Sequence, residues 1–262
     1  MANMLRVTLK LLGALPLLIS YLLISASLSV LMPSGNKKRL LAVQNSSLFA
    51  RVTLRLLGIR VHVKHAELLH KGRGGHLVIV NHLSYVDVLV MSSLMPAVFI
   101  TSVEMKHTLL LGTVAKFGGS IFVERRKTSG LKKEIESIAH VLGQGFSVVL
   151  FPEGTTSNGE RVQPFKNSLF DSAIRAKINV FPFCLRYTKV NNRHITSDTR
   201  DSVFFYGDMT FFRHLPRLLA LQSVDLEVRP LETIRIHADA SRKVLASEAH
   251  DAISAAYHGL AD

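Results

Sequence analysis

A chain of 262 residues suits one domain, or one domain with a membrane segment, and its mean hydropathy of +0.26 is high for a domain wholly in water. The net charge of +13 favours nucleic acid, anionic lipid or a phosphorylated substrate, but with no Trp and 7% aromatics there are few platforms on which bases could stack, so nucleic acid ranks last. A single cysteine, Cys184, excludes an intrachain disulfide and a cysteine-built zinc site.

From Leu11 to Met32 no residue is charged. As a helix this stretch would span roughly 33 Å, close to the hydrocarbon core of a bilayer. It is expected to be an uncleaved membrane helix, or one arm of a hairpin dipping into one leaflet, and Ser25-Ala26-Ser27 makes a poor signal cleavage site. Arg6 and Lys10 precede it, and Lys37, Lys38, Arg39, Arg51, Arg55, Arg60 and Lys64 follow. That asymmetry places the main domain on the cytoplasmic side of the membrane. Lys37 to Leu57 forms a second, amphipathic helix ended by Gly58, with Leu48, Val52 and Leu56 spaced by four. It lies either on an anionic membrane surface or against the domain.

Beyond Gly58, apolar strand-like runs and helical spacings alternate. Strands are expected at Ile59–Lys64, His76–Val80, Ala97–Thr101, Ser120–Val123, Phe146–Phe151, Val180–Tyr187, Val203–Tyr206 and Val224–Val228. Helices are expected at Asp87–Leu94, Glu104–Phe117, Ser129–Leu142, Asn167–Lys177 and Ala238–His258, and turns at Lys71–Gly75 and Pro152–Gly159. The alternation defines an α/β fold, a mixed sheet flanked by helices, with no internal linker or repeat to divide it. Met209 to Leu221 is a basic amphipathic segment that touches membrane or covers the sheet. Cys184 reads as a small core residue.

Chemistry gathers where strands end. Asn81 to Asp87 follows the buried run His76–Val80 and carries His82 and Asp87 five residues apart. That spacing does not stack on a straight helix, so His82 belongs in the turn and Asp87 at the helix start. A histidine with an orienting carboxylate is the basic unit of general-base catalysis. Gly119 to Arg125 ends a strand in Arg125 and Arg126, and Phe151 to Ser157 ends another in Glu153, Gly154 and three hydroxyls. Phe181-Pro182 marks a third. His62, His65, His70 and His76 lack the spacing of a metal ligand set, so no metal is expected.

These four blocks, Asn-His-x4-Asp, Gly-x2-Phe-x2-Arg, Phe-Pro-Glu-Gly-Thr and apolar-Pro, occur in that order over residues 75 to 190. There the chain resembles the membrane-associated glycerolipid acyltransferases typified by 1-acylglycerol-3-phosphate acyltransferase. The resemblance implies an acyltransferase domain over residues 59–262, carried by membrane-anchoring helices over residues 1–58. It implies transfer of an acyl group from acyl-CoA or acyl carrier protein to the free hydroxyl of a lysolipid, 1-acylglycerol-3-phosphate or a related lysophospholipid, with lyso-ornithine lipid as the alternative acceptor and with no cofactor. His82 would be the base and Asp87 its partner; Arg125 would grip the acceptor's polar head, with Lys106 a further basic position. Glu153, Gly154 and Thr155 would shape or line the acceptor site. Relatives acting on the phosphatidic-acid precursor have Arg where this chain has Thr156. The hydroxyl-rich loop, followed by Pro164-Phe165-Lys166, is more like relatives acylating lysophospholipids with larger heads, or lyso-ornithine lipid, and Lys166 is a candidate replacement for the missing cation. Two other functions compete: a thioester hydrolase in which His82 activates water, and a non-catalytic protein bound to anionic membrane.

Overall fold

The computed structural model describes residues 2–71, 74–108, 110–124, 130–237 and 239–259. The chain opens with α1 (Ala2–Leu31) and α2 (Asn36–Leu57), then runs β1 (Ile59–Val63), α3 (Glu67–Lys71), β2 (Leu77–Val80), α4 (Val86–Leu94) and β3 (Val98–Ser102). Next come α5 (Val103–Lys106), α6 (Leu111–Phe117), β4 (Ile121–Val123), α7 (Leu131–Gly143) and β5 (Val148–Leu150). A 3-10 turn (Ser168–Phe170) leads into α8 (Asp171–Ala176), β6 (Val180–Val190), β7 (Arg193–His194) and α9 (Ser197–Arg200). The chain closes with α10 (Phe211–Ala220), β8 (Val224–Pro230) and α11 (Arg242–His258).

Among the described residues the strands form one sheet in the order β1-β8-β6-β2-β5-β3-β4, with β7 attached to β6. β6, β2, β5, β3 and β4 are mutually parallel, while β8 runs antiparallel to β6 and β1 follows β8. This is the mixed α/β sheet that the alternation implied. β2 is buried at every residue, as a strand covered on both faces must be. Around it pack Val148, Val149, Phe181, Phe183 and Leu185, all at most 1% exposed. The C-terminal ends of β2, β5, β3, β4 and β6 share one edge of the sheet. That is where ligands meet open parallel sheets.

Several expectations give way. Glu104–Phe117 is two helices rather than one. Thr108 breaks it: its hydroxyl donates to Met105 O (2.7 Å) and accepts from Gly112 N (2.9 Å), competing with the helical ladder. Val203–Tyr206 is not a strand. Val203 N and Phe204 N donate locally to Arg200 O, and Phe205 N donates across the fold to Leu83 O. Asn167–Lys177 is shortened to the 3-10 turn and α8, and the closing helix starts at Arg242, after Ser241 caps Lys243 N. β6 runs on to Val190, well past β2. Its Pro182 is tolerated because pairing with β8 begins only at Phe183, so no amide donor is required there. Gly72 and Arg73, in the expected turn, lie outside the described residues.

α1 begins nine residues before the uncharged stretch. It is long and apolar enough to cross a membrane, yet it lies along the domain. It packs antiparallel to α2 and also touches α6 and α10. Arg6 donates to Ala220 O (2.6 Å), and the buried Lys10 ammonium donates to Leu57 O (2.5 Å) and Leu221 O (2.8 Å). The carbonyl ends of α2 and α10 are thus met by cations, as the helix dipole favours. Further along, Tyr21 OH donates to Val114 O (3.1 Å) and Asn45 Nδ2 to Ser25 Oγ (2.9 Å). The outer face of α1, from Met4 through Leu12, Leu15 and Leu23 to Leu31, stays exposed. α2 buries Val43, Ala50, Leu54 and Leu57 and packs against α4 and β1.

Candidate active site

The site begins where β2 stops and β6 does not. The side-chain amide of Asn81 continues the ladder: Nδ2 donates to Leu185 O (2.9 Å) and Oδ1 accepts from Leu185 N (2.8 Å). The buried backbone of β6 stays paired while the chain leaves the sheet. His82 then sits in the turn and Asp87 at the second residue of α4.

His82 Nδ1 lies 2.9 Å from Asp87 Oδ2. The same oxygen accepts Leu83 N (2.7 Å) and Ser84 N (2.9 Å), and Oδ1 accepts the Tyr187 hydroxyl (2.7 Å). Four donors converge on a carboxylate with no exposure, which is what a buried acid needs in place of water. Burial, reinforced by the charge and hydrogen bond of Asp87, pushes the Tyr187 hydroxyl well above its ordinary value, so it remains a donor. The His82 side chain is 18% exposed, and its ring stacks on Phe151 at 4.1 Å between centroids and 19° between planes. With Nδ1–H directed at Asp87, Nε2 is the basic nitrogen.

The loop after β5 fixes the backbone of His82 from both sides. Glu153 Oε1 accepts His82 N (2.6 Å), Oε2 accepts Gln163 N (3.0 Å), and Ser157 N donates to His82 O (3.0 Å). Burial pushes the Glu153 carboxyl up to about 7; the two amide hydrogen bonds oppose that shift and the charge of Asp87 adds to it. Gly154 has φ +76°, and a Cβ there would come within 2.7 Å of Lys166 Nζ. The lysine therefore crosses directly over the glycine, and its own amide donates to Pro152 O (2.9 Å). From the far side, His214 of α10 places Nδ1 3.0 Å from the Tyr85 hydroxyl, at the start of α4.

The structure thus brings together His82, Asp87 and Glu153, with Gly154 alongside. Thr155 is exposed on the same loop. Lys106 ends α5, beyond β3 on the same sheet edge, and no hydrogen bond or ion pair links it to His82 or Glu153 among the described residues. Arg125 and Arg126 lie outside the described residues. Cys184 is buried in β6, and burial pushes its thiol up to about 12. Among the described residues no three of His, Cys, Asp and Glu gather as a metal ligand set. Sequence reasoning missed Tyr187, for which no local signal exists, and the roles of Asn81 and Phe151, which lay inside the motifs.

An α/β sheet that sets a partly exposed imidazole against a buried carboxylate at its strand ends has the arrangement that general-base catalysis uses. A family model described as Acyltransferase matches residues 60–186. The chain is 34% identical over 220 residues to the lyso-ornithine lipid O-acyltransferase of Brucella abortus, covering 81% of this chain and 79% of that protein. With the corresponding enzyme of Rhizobium meliloti it shares 34% identity over 200 residues, 74% of this chain and 68% of that one. A 1-acyl-sn-glycerol-3-phosphate acyltransferase of Neisseria gonorrhoeae is 30% identical over 154 residues, 59% of this chain and 58% of its own. Among solved structures, PlsC of Thermotoga maritima, a 1-acyl-sn-glycerophosphate acyltransferase, shares the fold with a TM-score of 0.70 at 18% identity, over 98% of this chain and 95% of that one. The chain belongs to the acyltransferase family.

Proposed function

We propose that this protein acylates the free hydroxyl of a lysolipid, with acyl-CoA or acyl carrier protein as thioester donor and a lyso-ornithine lipid as the acceptor. The observation that carries it is the His82 imidazole, committed through Nδ1 to a fully buried Asp87 and leaving Nε2 basic. In the reaction, Nε2 takes the hydroxyl proton as the alcohol oxygen attacks the thioester carbonyl. The tetrahedral adduct collapses, the ester stays with the lipid, and the departing thiolate takes the proton back from the imidazolium. Asp87 stabilises that imidazolium and fixes the tautomer.

The acceptor reading rests on charge. Thr156 stands where phosphomonoester-acylating relatives have arginine, and Lys166 lies over Gly154 in the same loop. One such cation suits an amino-acid carboxylate better than a doubly ionised phosphate. The broader coverage of the lyso-ornithine relatives supports the same choice. Residues 1–58 act as the membrane anchor. The bonds of Arg6, Lys10 and Tyr21 to the domain support an α1 lying in one leaflet beside it, and the excess of Lys and Arg after the apolar stretch supports a site facing the cytoplasm.

The test is thiol release by the purified protein, offered a thioester with lyso-ornithine lipid or 1-acylglycerol-3-phosphate. Release is expected only with acceptor and fastest with lyso-ornithine lipid, and Lys166→Ala should raise the acceptor KM more than it lowers kcat. Equal release without acceptor would make the protein a thioesterase. Preference for the phosphate acceptor would overturn the lyso-ornithine assignment.

A further inference from the structure

The opposite edge of the sheet carries a second feature, one that acyl transfer does not use. The first turn of α2 reads Asn36-Lys37-Lys38-Arg39, with no acidic residue and no side-chain cap at Gly35. Cations at the amino end of a 22-residue helix oppose its dipole, and the first amides there lack helical acceptors. Local rules broken in this way are expected at functional or strained sites.

A cavity of about 290 Å³ lies at this turn, near the lower bound of ligand pockets. Lys38, Arg39 and Lys116 line it, together with the serines Ser29, Ser34 and Ser120, and among the described residues no carboxylate does. Two of the cations are held in place by neutral groups. Lys38 Nζ donates to Ser29 O (2.5 Å). Arg39 donates to Gln144 Oε1 (2.6 Å) and lies over the Phe146 ring at 5.6 Å. These contacts orient the two cations, and among the described residues no ion pair compensates their charge. Leu28 also lines the cavity, and the apolar Val30 and Leu31 beside it are 83% and 78% exposed. Ser120 precedes β4 and Gln144 precedes β5, so the cavity lies at the strands' amino-terminal ends, away from His82.

We propose that this cavity binds the phosphate of an anionic phospholipid, whose acyl chains lie along the exposed end of α1. The phosphodiester accepts from Lys38, Arg39, Lys116 and the serine hydroxyls, and it stabilises the amino end of α2. The proposal rests on the membrane placement of α1 and not on the identity of the acceptor, which the thiol-release assay reports separately.

The experiment uses the full-length protein in a neutral detergent. Tm is followed as short-chain phosphatidylglycerol, short-chain phosphatidylcholine or inorganic phosphate is added. Phosphatidylglycerol should raise Tm, and phosphatidylcholine should not. Lys38→Gln with Lys116→Gln should weaken the apparent affinity roughly tenfold or more. Ala42→Leu fills the cavity without changing charge, since Ala42 lines it, and should abolish the response. Arg213→Gln with Arg217→Gln removes two cations elsewhere and should leave it intact. An undiminished response in Ala42→Leu would mean diffuse surface charge and overturn the site. An equal response to phosphatidylcholine would overturn the anion. An equal response to inorganic phosphate would reassign the cavity to a soluble ion and overturn the lipid.

Discussion

The two edges of the sheet treat charge in opposite ways. At the His82 edge, the buried acids Asp87 and Glu153 have both carboxylate oxygens matched to donors, most of them backbone amides. At the α2 edge, Lys38, Arg39 and Lys116 line an open cavity, and the partners of Lys38 and Arg39 among the described residues are neutral. The first arrangement is finished before substrate arrives, so on the proposed mechanism binding energy need not be spent on orienting His82. The second, on the proposal above, is completed by a bound anion. On the readings proposed above, one edge serves chemistry and the other holds the protein at the membrane.

The largest effects should come from breaking the finished edge at its centre. His82→Ala is expected to lower turnover about 10²–10⁴-fold, the range of a positioned general base, with Tm little changed. Asp87→Asn should cost a comparable factor in thiol release. It should also lower stability by about 1–3 kcal/mol, because an amide sets N–H against at least one of the four donors. Full activity in either variant would remove the imidazole–carboxylate pair from the mechanism.

Glu153→Gln comes next. The amide can accept from His82 N or from Gln163 N but not from both, so about tenfold in kcat should be lost as the turn loosens. This variant also carries a pH signature. Since the folded carboxyl titrates near 7, above its ordinary range, the folded state holds an extra proton between the unfolded value and 7. The contribution of Glu153 to stability is therefore fully present below the ordinary carboxylate range and is lost as pH rises through about 7. Thermal unfolding from pH 4 to pH 8, compared between wild type and Glu153→Gln, should show this slope in wild type alone. The smallest effect is expected for Tyr187→Phe. It removes one donor of four and should lower kcat by less than about tenfold with KM unchanged. A change in KM alone would recast Tyr187 as a substrate contact.

What was legible in the sequence follows from distance along the chain. His82 and Asp87 are five residues apart, so spacing alone put one in the turn and the other at the helix start. The α/β class followed from runs that stay apolar for four or five residues between helical spacings. Tyr187 was invisible because it reaches Asp87 only through the parallel register of β6 on β2, a hundred residues away. The break at Thr108 came from one hydroxyl competing with the helix, which composition does not weigh. Val203–Tyr206 has the apolar character of a strand, but its amides go to Arg200 O and Leu83 O rather than to a neighbouring strand. The helical start of α1 was misplaced because Arg6 and Lys10 looked like flanking charges for orientation.

Those two cations carry a practical lesson. An apolar leading helix invites deletion when a water-soluble protein is wanted for crystals or screening. Here, deleting it would strip the cations from Ala220 O, Leu57 O and Leu221 O and expose the carbonyl ends of two helices that brace the fold. Replacing the outward leucines, such as Leu12, Leu15 and Leu23, with glutamate or lysine, and keeping Arg6 and Lys10, is the route that leaves the enzyme whole.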